Sequence, residues 1–174
     1  MPRPLNATAA SLLGFLHEGP LTGWDLVAVA QQRIGDFWSL TQSQVYRELG
    51  TMAEQGLVEA GERGSRDKRP YAITPAGRSA FRHWVEQMPG DETIRFPLLL
   101  TLAFGRHLPA GRLKTMLEQH RLIHSERLRA YGLQLEEVDA VGDPYARATL
   151  DFGISYEKAV LEWFDRLPKD LTEQ

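Results

Sequence analysis

The chain has 174 residues, with hydrophobic side chains at 43% and charged ones at 25%, the balance of a water-soluble globular protein with one or two small cores. It contains no cysteine, which excludes disulfides and thiolate metal sites and suits a reducing, cytoplasmic setting. The formal net charge is -3, so any affinity for nucleic acid must come from local placement of cations and not from the bulk balance.

The N-terminal stretch MPRPLNATAA lacks the sustained apolar run and cleavage site of a signal peptide. A first helix is expected from about Asn6 to His17. Leu5, Ala9, Leu12, Leu13 and Leu16 share one face, and Asn6 or Thr8 can cap it. Gly19 and Pro20 end it. A second helix runs from about Thr22, its cap, to Ile34, with Leu26, Val27, Ala30 and Ile34 inward. A third spans about Thr41 to Gln55, capped by Thr41, lined by Val45, Leu49 and Met52, and stopped by Gly56.

The pattern then turns β-compatible. Leu57–Ala60 and Tyr71–Ile73 flank the loop GERGSRDKRP, which predicts a two-stranded hairpin. Between Arg63 and Arg69 its tip carries Arg63, Arg66, Lys68 and Arg69 against the single anion Asp67. Thr74-Pro75 opens a fourth helix, whose stripe reads Phe81, Trp84, Val85, Met88.

Pro89-Gly90-Asp91 marks a boundary between domains 1–88 and 92–174. Beyond it a helix from about Thr93 to Arg106 is apolar on most sides, which predicts burial. Its apolar run, Phe96–Phe104, is far short of the roughly 20 residues that a membrane helix requires. A long helix follows from Pro109 to about Glu137. Leu113, Leu117, His120, Ile123, His124, Leu128, Tyr131 and Leu135 form its seam. Asp143-Pro144 opens a last helix to about Leu167, with a stripe of Thr149, Phe152, Tyr156, Val160, Trp163, Phe164 and Leu167.

Helix, helix, helix, hairpin, helix is the order of a winged helix-turn-helix. If Val45, Leu49 and Met52 face the core, then Ser43, Arg47, Gly50 and Glu54 point away from it. Gln42, Ser43, Gln44 and Arg47 are then the residues nearest the bases of a major groove, with the Tyr46 hydroxyl suited to a phosphate. Arg63, Arg66, Lys68 and Arg69 would lie along the phosphate backbone as the wing. The fold class is therefore mainly α: a winged helix-turn-helix with a two-stranded β-wing, then an all-α C-terminal dimerisation domain. The long seams of the last two helices each ask for a partner, which is either the other helix of the same chain or a second copy. Leu113, Leu117, His120, Ile123, His124, Tyr156, Val160, Trp163 and Phe164 are the expected dimer interface.

The ordered set LLGFLHEGPLTGWDL, FWSLTQSQVYREL, EQGLVEA, the basic loop and YAITPAG resembles the PadR family of bacterial transcriptional regulators. FPLLLTLAFG and LDFGISYEKAVLEWFDRL resemble the larger C-terminal region of its longer members, so the likeness covers nearly the whole chain. The resemblance implies a homodimer that represses from a palindromic operator of double-stranded DNA. Some members release DNA when a small molecule binds. Arg47 stands where a common form of the family has proline, which adds a cation to the reading face.

Trp24, Phe37, Trp38, Trp84, Phe96 and Phe104 supply surface for a small apolar or aromatic effector, although aromatics at helical spacing more often build core. His120 and His124 share a helix face, yet there is no third ligand in a metal-binding motif, so no metal and no cofactor is expected. No Gly-rich phosphate loop, nucleophile elbow or cysteine nucleophile is present, so catalysis is not expected. The competing reading, favoured by the net negative charge, is a winged-helix protein-interaction module that does not bind DNA.

Overall fold

The structure is a computed structural model that describes residues 4–35, 37–62, 69–91 and 94–172. The chain divides into two compact units, Met1–Asp91 and Glu92–Gln174.

The first unit is assembled around its first helix, α1 (Ala7–Phe15), which buries Ala9, Ala10, Leu12 and Leu13 and leaves none of its residues exposed. Such a helix must be covered on several faces. α1 touches α2 (Gly23–Arg33), α3 (Gln42–Glu54) and α4 (Pro75–Val85). Leu26 of α2, Val45, Leu49 and Met52 of α3, and Val58 complete the core. Each helix start is set by a side chain: Asn6 Oδ1 accepts from the Ala9 amide at 2.8 Å, and Thr22 and Thr41 each close a reciprocal capping box.

The sheet has three strands, one more than the sequence predicts. β2 (Val58–Ala60) and β3 (Pro70–Ile73) form the hairpin, with Val58 opposite Ile73 and Ala60 opposite Tyr71. β1 (Leu21–Thr22) pairs antiparallel with β3, Leu21 opposite Tyr71, giving the order β1-β3-β2. Two residues are too few to show strand alternation. This strand exists because the hairpin offers it an edge.

Thr74 ties α4 to the hairpin. Its hydroxyl donates to the Gly56 carbonyl at 2.7 Å and accepts from the Gly77 amide at 3.0 Å. A Cβ on Gly77 would stand 2.1 Å from the Leu57 carbonyl oxygen, so only glycine permits this approach. Phe81 and Trp84 are half-buried, as a core-facing stripe requires. Val85 and Met88 are not: α4 ends at Val85, and Met88 is 91% exposed on the extended chain beyond it.

The second unit begins with α5 (Pro97–Ala103), followed by a 3-10 turn at Gly105–His107. Here the expected buried helix is corrected. α5 is seven residues long, none of them is buried, and Leu99 and Leu100 are exposed. A helix this short offers too little surface for one chain to enclose on all sides.

α6 (Arg112–Val141) and α7 (Pro144–Asp165) form an antiparallel hairpin about 45 Å long at 1.5 Å per residue. α8 (Lys169–Thr172) packs on α6. The reversal uses Gly142 in the left-handed region (φ 73°) and Asp143, whose carboxylate accepts from the Tyr145 amide at 2.9 Å. Leu117, Tyr131, Leu150 and Phe164 are buried between the helices. A Cβ on Gly153 would lie 3.0 Å from the Tyr131 ring, which fixes the closest approach. Thr149 and Phe152, expected inward, face out, and Leu150 takes the inner position.

A carboxylate sits in the middle of this hairpin. Glu157 is 1% exposed. His124 Nδ1 donates to its Oε2 at 2.5 Å, and the Arg127 guanidinium lies 3.7 Å from Oε1. Tyr156, next along α7, has its phenol held above the usual range by burial and then by the Glu157 charge. Removing one partner of a buried pair strands the other. His124→Ala is therefore expected to cost about 3 kcal/mol in urea unfolding, whereas the double change His124→Leu with Glu157→Leu costs less than the single one.

Candidate nucleic-acid interface

α3 is amphipathic because its sequence allows burial of one side only. Val45, Glu48, Leu49 and Met52 are buried, and Gln42, Ser43, Tyr46, Arg47 and Gly50 are exposed. Gln42, Ser43, Tyr46 and Arg47 lie in the N-terminal half, where the peptide dipoles also leave partial positive charge; Gly50 and Glu54 continue the exposed side towards the C-terminus. Nothing lies within 4 Å of a Cβ built on Gly50, so the face is flat and open there.

The capping box distributes the polar side chains at this end. Gln44 Oε1 accepts from the Thr41 amide and from the Thr41 hydroxyl, both at 2.9 Å. Its carbonyl is thus committed to the cap, and its Nε2 donors are what it can offer a ligand. Ser43 Oγ is 3.2 Å from Thr41 Oγ1, so Ser43 is held at the same end.

Tyr46 is fixed from an unexpected direction. Its ring lies on the first residue of α2: a Cβ on Gly23 would meet ring carbons at 2.6 and 2.7 Å. Gly23 is buried by this contact. The sequence signal was present, since Gly23 directly follows the Thr22 cap, where a glycine is not needed for backbone reasons. Its purpose depends on a residue 23 positions away.

The cations are less uniformly placed than the sequence suggested. Arg69 folds back on the hairpin base, with Nε donating to the Gly61 carbonyl at 3.0 Å and Nη2 to the Ala60 carbonyl at 3.4 Å. Arg63, Arg66 and Lys68 lie outside the described residues. Arg33 of α2 is paired with Glu18, at 2.8 Å for one of its two hydrogen bonds, and that bond holds the Glu18 carboxyl below the usual range. Arg47 is exposed on α3 and reaches Glu48 at 3.4 Å.

The aromatic residues set aside for an effector are divided between the units. Trp24, Phe37 and Trp38 are exposed in the first; Phe104 is exposed in the second, where Phe96 stacks on Tyr156 with ring centroids 6.2 Å apart. The expected interface residues also divide. Leu117 and Phe164 are enclosed between α6 and α7 of one chain, and His124 is largely covered there on Glu157, so their burial needs no second copy. Leu113, His120, Tyr156, Val160 and Trp163 are partly covered, and Ile123 is exposed. Among the described residues no group of three His, Asp or Glu side chains is placed to hold a metal ion, and no helix is long and apolar enough to cross a membrane.

Two family models match in tandem. The one described as the transcriptional regulator PadR-like family covers residues 12–83, and the one described as the C-terminal part of virulence activator alpha covers 94–172. The negative transcriptional regulator PadR of Bacillus subtilis is 24% identical, over 90% of this chain and 93% of that protein. Its crystal structure with operator DNA superposes with a TM-score of 0.77 at 23% identity, over 94% of this chain and 96% of that one. Its complex with p-coumaric acid gives 0.70 at 23% identity, over 92% and 95%. The virulence activator AphA of Vibrio cholerae gives 0.69 at 26% identity, over 96% of each chain.

The Gly23 contact makes a stability test. Gly23→Ala is expected to cost about 1–3 kcal/mol in chemical unfolding, because the ring must be displaced. In a Tyr46→Ala background the same change costs close to nothing.

Proposed function

We propose that the chain is a PadR-like transcriptional regulator that represses transcription as a homodimer on a palindromic operator. One observation carries this reading. The capped N-terminal half of α3 presents Gln42, Ser43, Tyr46 and Arg47 around the flat site at Gly50, on a helix whose other face is core. That is the form of a helix that enters a major groove, with its N-terminal residues against base edges.

In this reading Ser43 and Arg47 face base edges, with Gln42 and the Nε2 of Gln44 beside them. Tyr46, held by Gly23, offers its hydroxyl to a phosphate. The hairpin loop is the wing. Arg63, Arg66, Lys68 and Arg69 neutralise phosphates and supply affinity without sequence choice. This explains why an acidic chain concentrates four cations in one loop. Residues 1–88 are the DNA-binding domain and residues 92–174 the dimerisation domain.

Dimerisation draws on the second unit. Leu122, Ile123, Leu133 and Phe152 are exposed along α6 and α7, apolar surface that a second copy would cover. A twofold pairing would set two α3 helices about 34 Å apart, one turn of DNA. A small apolar or aromatic effector releases the DNA if it binds one arrangement of the two DNA-binding domains better than the other. The PadR complex with p-coumaric acid is the precedent for that class of ligand. The protein is not an enzyme, and it works in the cytoplasm, where its operator is.

Two measurements test this. In fluorescence anisotropy with duplex from upstream of its own gene, log affinity is expected to fall steeply with log salt. The double change Arg66→Ala with Arg69→Ala reduces that slope by about 0.9 per lost phosphate contact. An affinity insensitive to both salt and these substitutions supports the protein-interaction module instead. In sedimentation, Phe152→Glu is expected to shift the protein from dimer to monomer with its helical content intact, and to weaken binding to a two-half-site operator by more than tenfold, or roughly 1.4 kcal/mol.

A further inference from the structure

Glu48 is an acidic residue on the buried side of α3, 3% exposed, in the row that Val45, Leu49 and Met52 form. A carboxylate in such a row is unfavourable unless both oxygens find partners. They do, one from the start of α1 and one from α3 itself. Asn6 Nδ2 donates to Oε2 at 3.1 Å. Arg47 Nη2 donates to Oε1 at 3.4 Å.

The Asn6 side is rigid. The same amide group accepts the Ala9 N–H through Oδ1 at 2.8 Å, so both ends of the Asn6 side chain are used, one as the cap of α1 and one on Glu48. The carboxylate is thereby tied to the helix at the centre of the core. The Arg47 side is open. The Arg47 side chain is 66% exposed and the Glu48 side chain 4%. Adjacent residues of a helix point about 100° apart and do not face each other. An arginine beside a glutamate on one helix therefore pairs with it only by folding its guanidinium back along the helix surface. Here a buried negative charge supplies the reason to do so, because the attraction is screened less than it would be between two exposed groups.

We propose that Glu48 is a positioning residue for Arg47, holding its guanidinium on the reading face of α3 in the orientation that meets a guanine edge. A guanidinium has five N–H donors, and one contact to Glu48 leaves the outer donors for the paired acceptors O6 and N7 of guanine. Ordering the side chain before binding removes a cost that a free arginine would meet on the DNA. Asn6, at the start of α1, is part of the same support. The inference rests on the DNA-binding reading above.

The test uses the full-length protein, Glu48→Gln, Arg47→Ala and the double variant. Glu48→Gln keeps the shape and an acceptor for Asn6 but removes the charge. The DNA probes are the tightest duplex recovered from a randomised pool and a duplex of random sequence. Glu48→Gln is expected to weaken the selected duplex by roughly two- to tenfold, to leave the random duplex unchanged, and to have no effect once Arg47 is alanine. An equal loss in the Arg47→Ala background makes Glu48 a structural residue and overturns the proposal. So does tighter binding of both duplexes, which would make its charge merely repulsive.

A second readout needs no DNA. The side-chain N–H signals of Arg47 in NMR are expected to show restricted rotation in the parent protein and free averaging in Glu48→Gln. Identical behaviour overturns the proposal. If the pool yields no preferred duplex, the regulator reading fails and the NMR result alone decides this one. Should Glu48→Gln not fold, Asn6→Ser keeps a cap for α1, but its side chain is too short to reach Glu48 as the Asn6 amide does. It is expected to loosen Arg47 in the same NMR measurement, and unchanged signals count against the idea.

Discussion

The first unit depends on one packing constraint: α1 leaves none of its residues exposed and has to be enclosed. Three helices and the sheet meet that requirement, and each contributes only one face. For α3 the face is Val45, Leu49 and Met52, set by their contact with the core. Everything on the opposite side is then exposed by geometry and not by choice. The outward display of Ser43, Tyr46, Arg47 and Gly50 is a consequence of burying the inner row. The polar residues that intrude on the inner side, Glu48 and Asn6, are tolerated because they satisfy each other.

The second unit has the opposite economy. A carboxylate, Glu157, is enclosed between α6 and α7, while large apolar side chains such as Leu100, Leu133 and Phe152 stay in water. Burying a charge while exposing hydrophobes is unfavourable for an isolated helical hairpin. It is reasonable in one protomer of a dimer. The polar cluster of Glu157, His124 and Arg127 then specifies the pairing of α6 with α7, and apolar contact is left for association. Buried polar groups are best attested in that role, as devices that select one register over others.

Much of the fold was legible because its signals are local. Asn6, Thr22, Thr41 and Thr74 cap the helices they were expected to cap or open, since an oxygen two or three residues before an apolar repeat finds its amide regardless of context. The hairpin was legible from two short β-compatible runs around a polar loop. β1 was not, because a two-residue strand has no pattern of its own. α5 was not, because apolarity is not burial, and a single chain cannot supply burial on every side of a short helix. On α7 the expected stripe is covered from Tyr156 to Leu167, but at its start Thr149 and Phe152 face out and Leu150 is inside. Both choices give an apolar row, and only the partner helix decides between them.

The reading face shows the same division. Which side chains α3 would present followed from the 3.6-residue repeat, a property of the chain alone. What holds them there did not. The ring of Tyr46 rests on Gly23, Gln44 turns its carbonyl to the Thr41 cap, and Arg47 leans on a carboxylate that Asn6 secures from 42 positions away. The sequence by itself determined the side-chain-capped helix starts, the amphipathic row and the cationic loop, because each is decided within a few residues. Tertiary structure alone decided the third strand, the close approaches at Gly23 and Gly77, and the two buried carboxylates. These depend on groups distant in the chain meeting within hydrogen-bond or van der Waals range, and no local pattern encodes that distance.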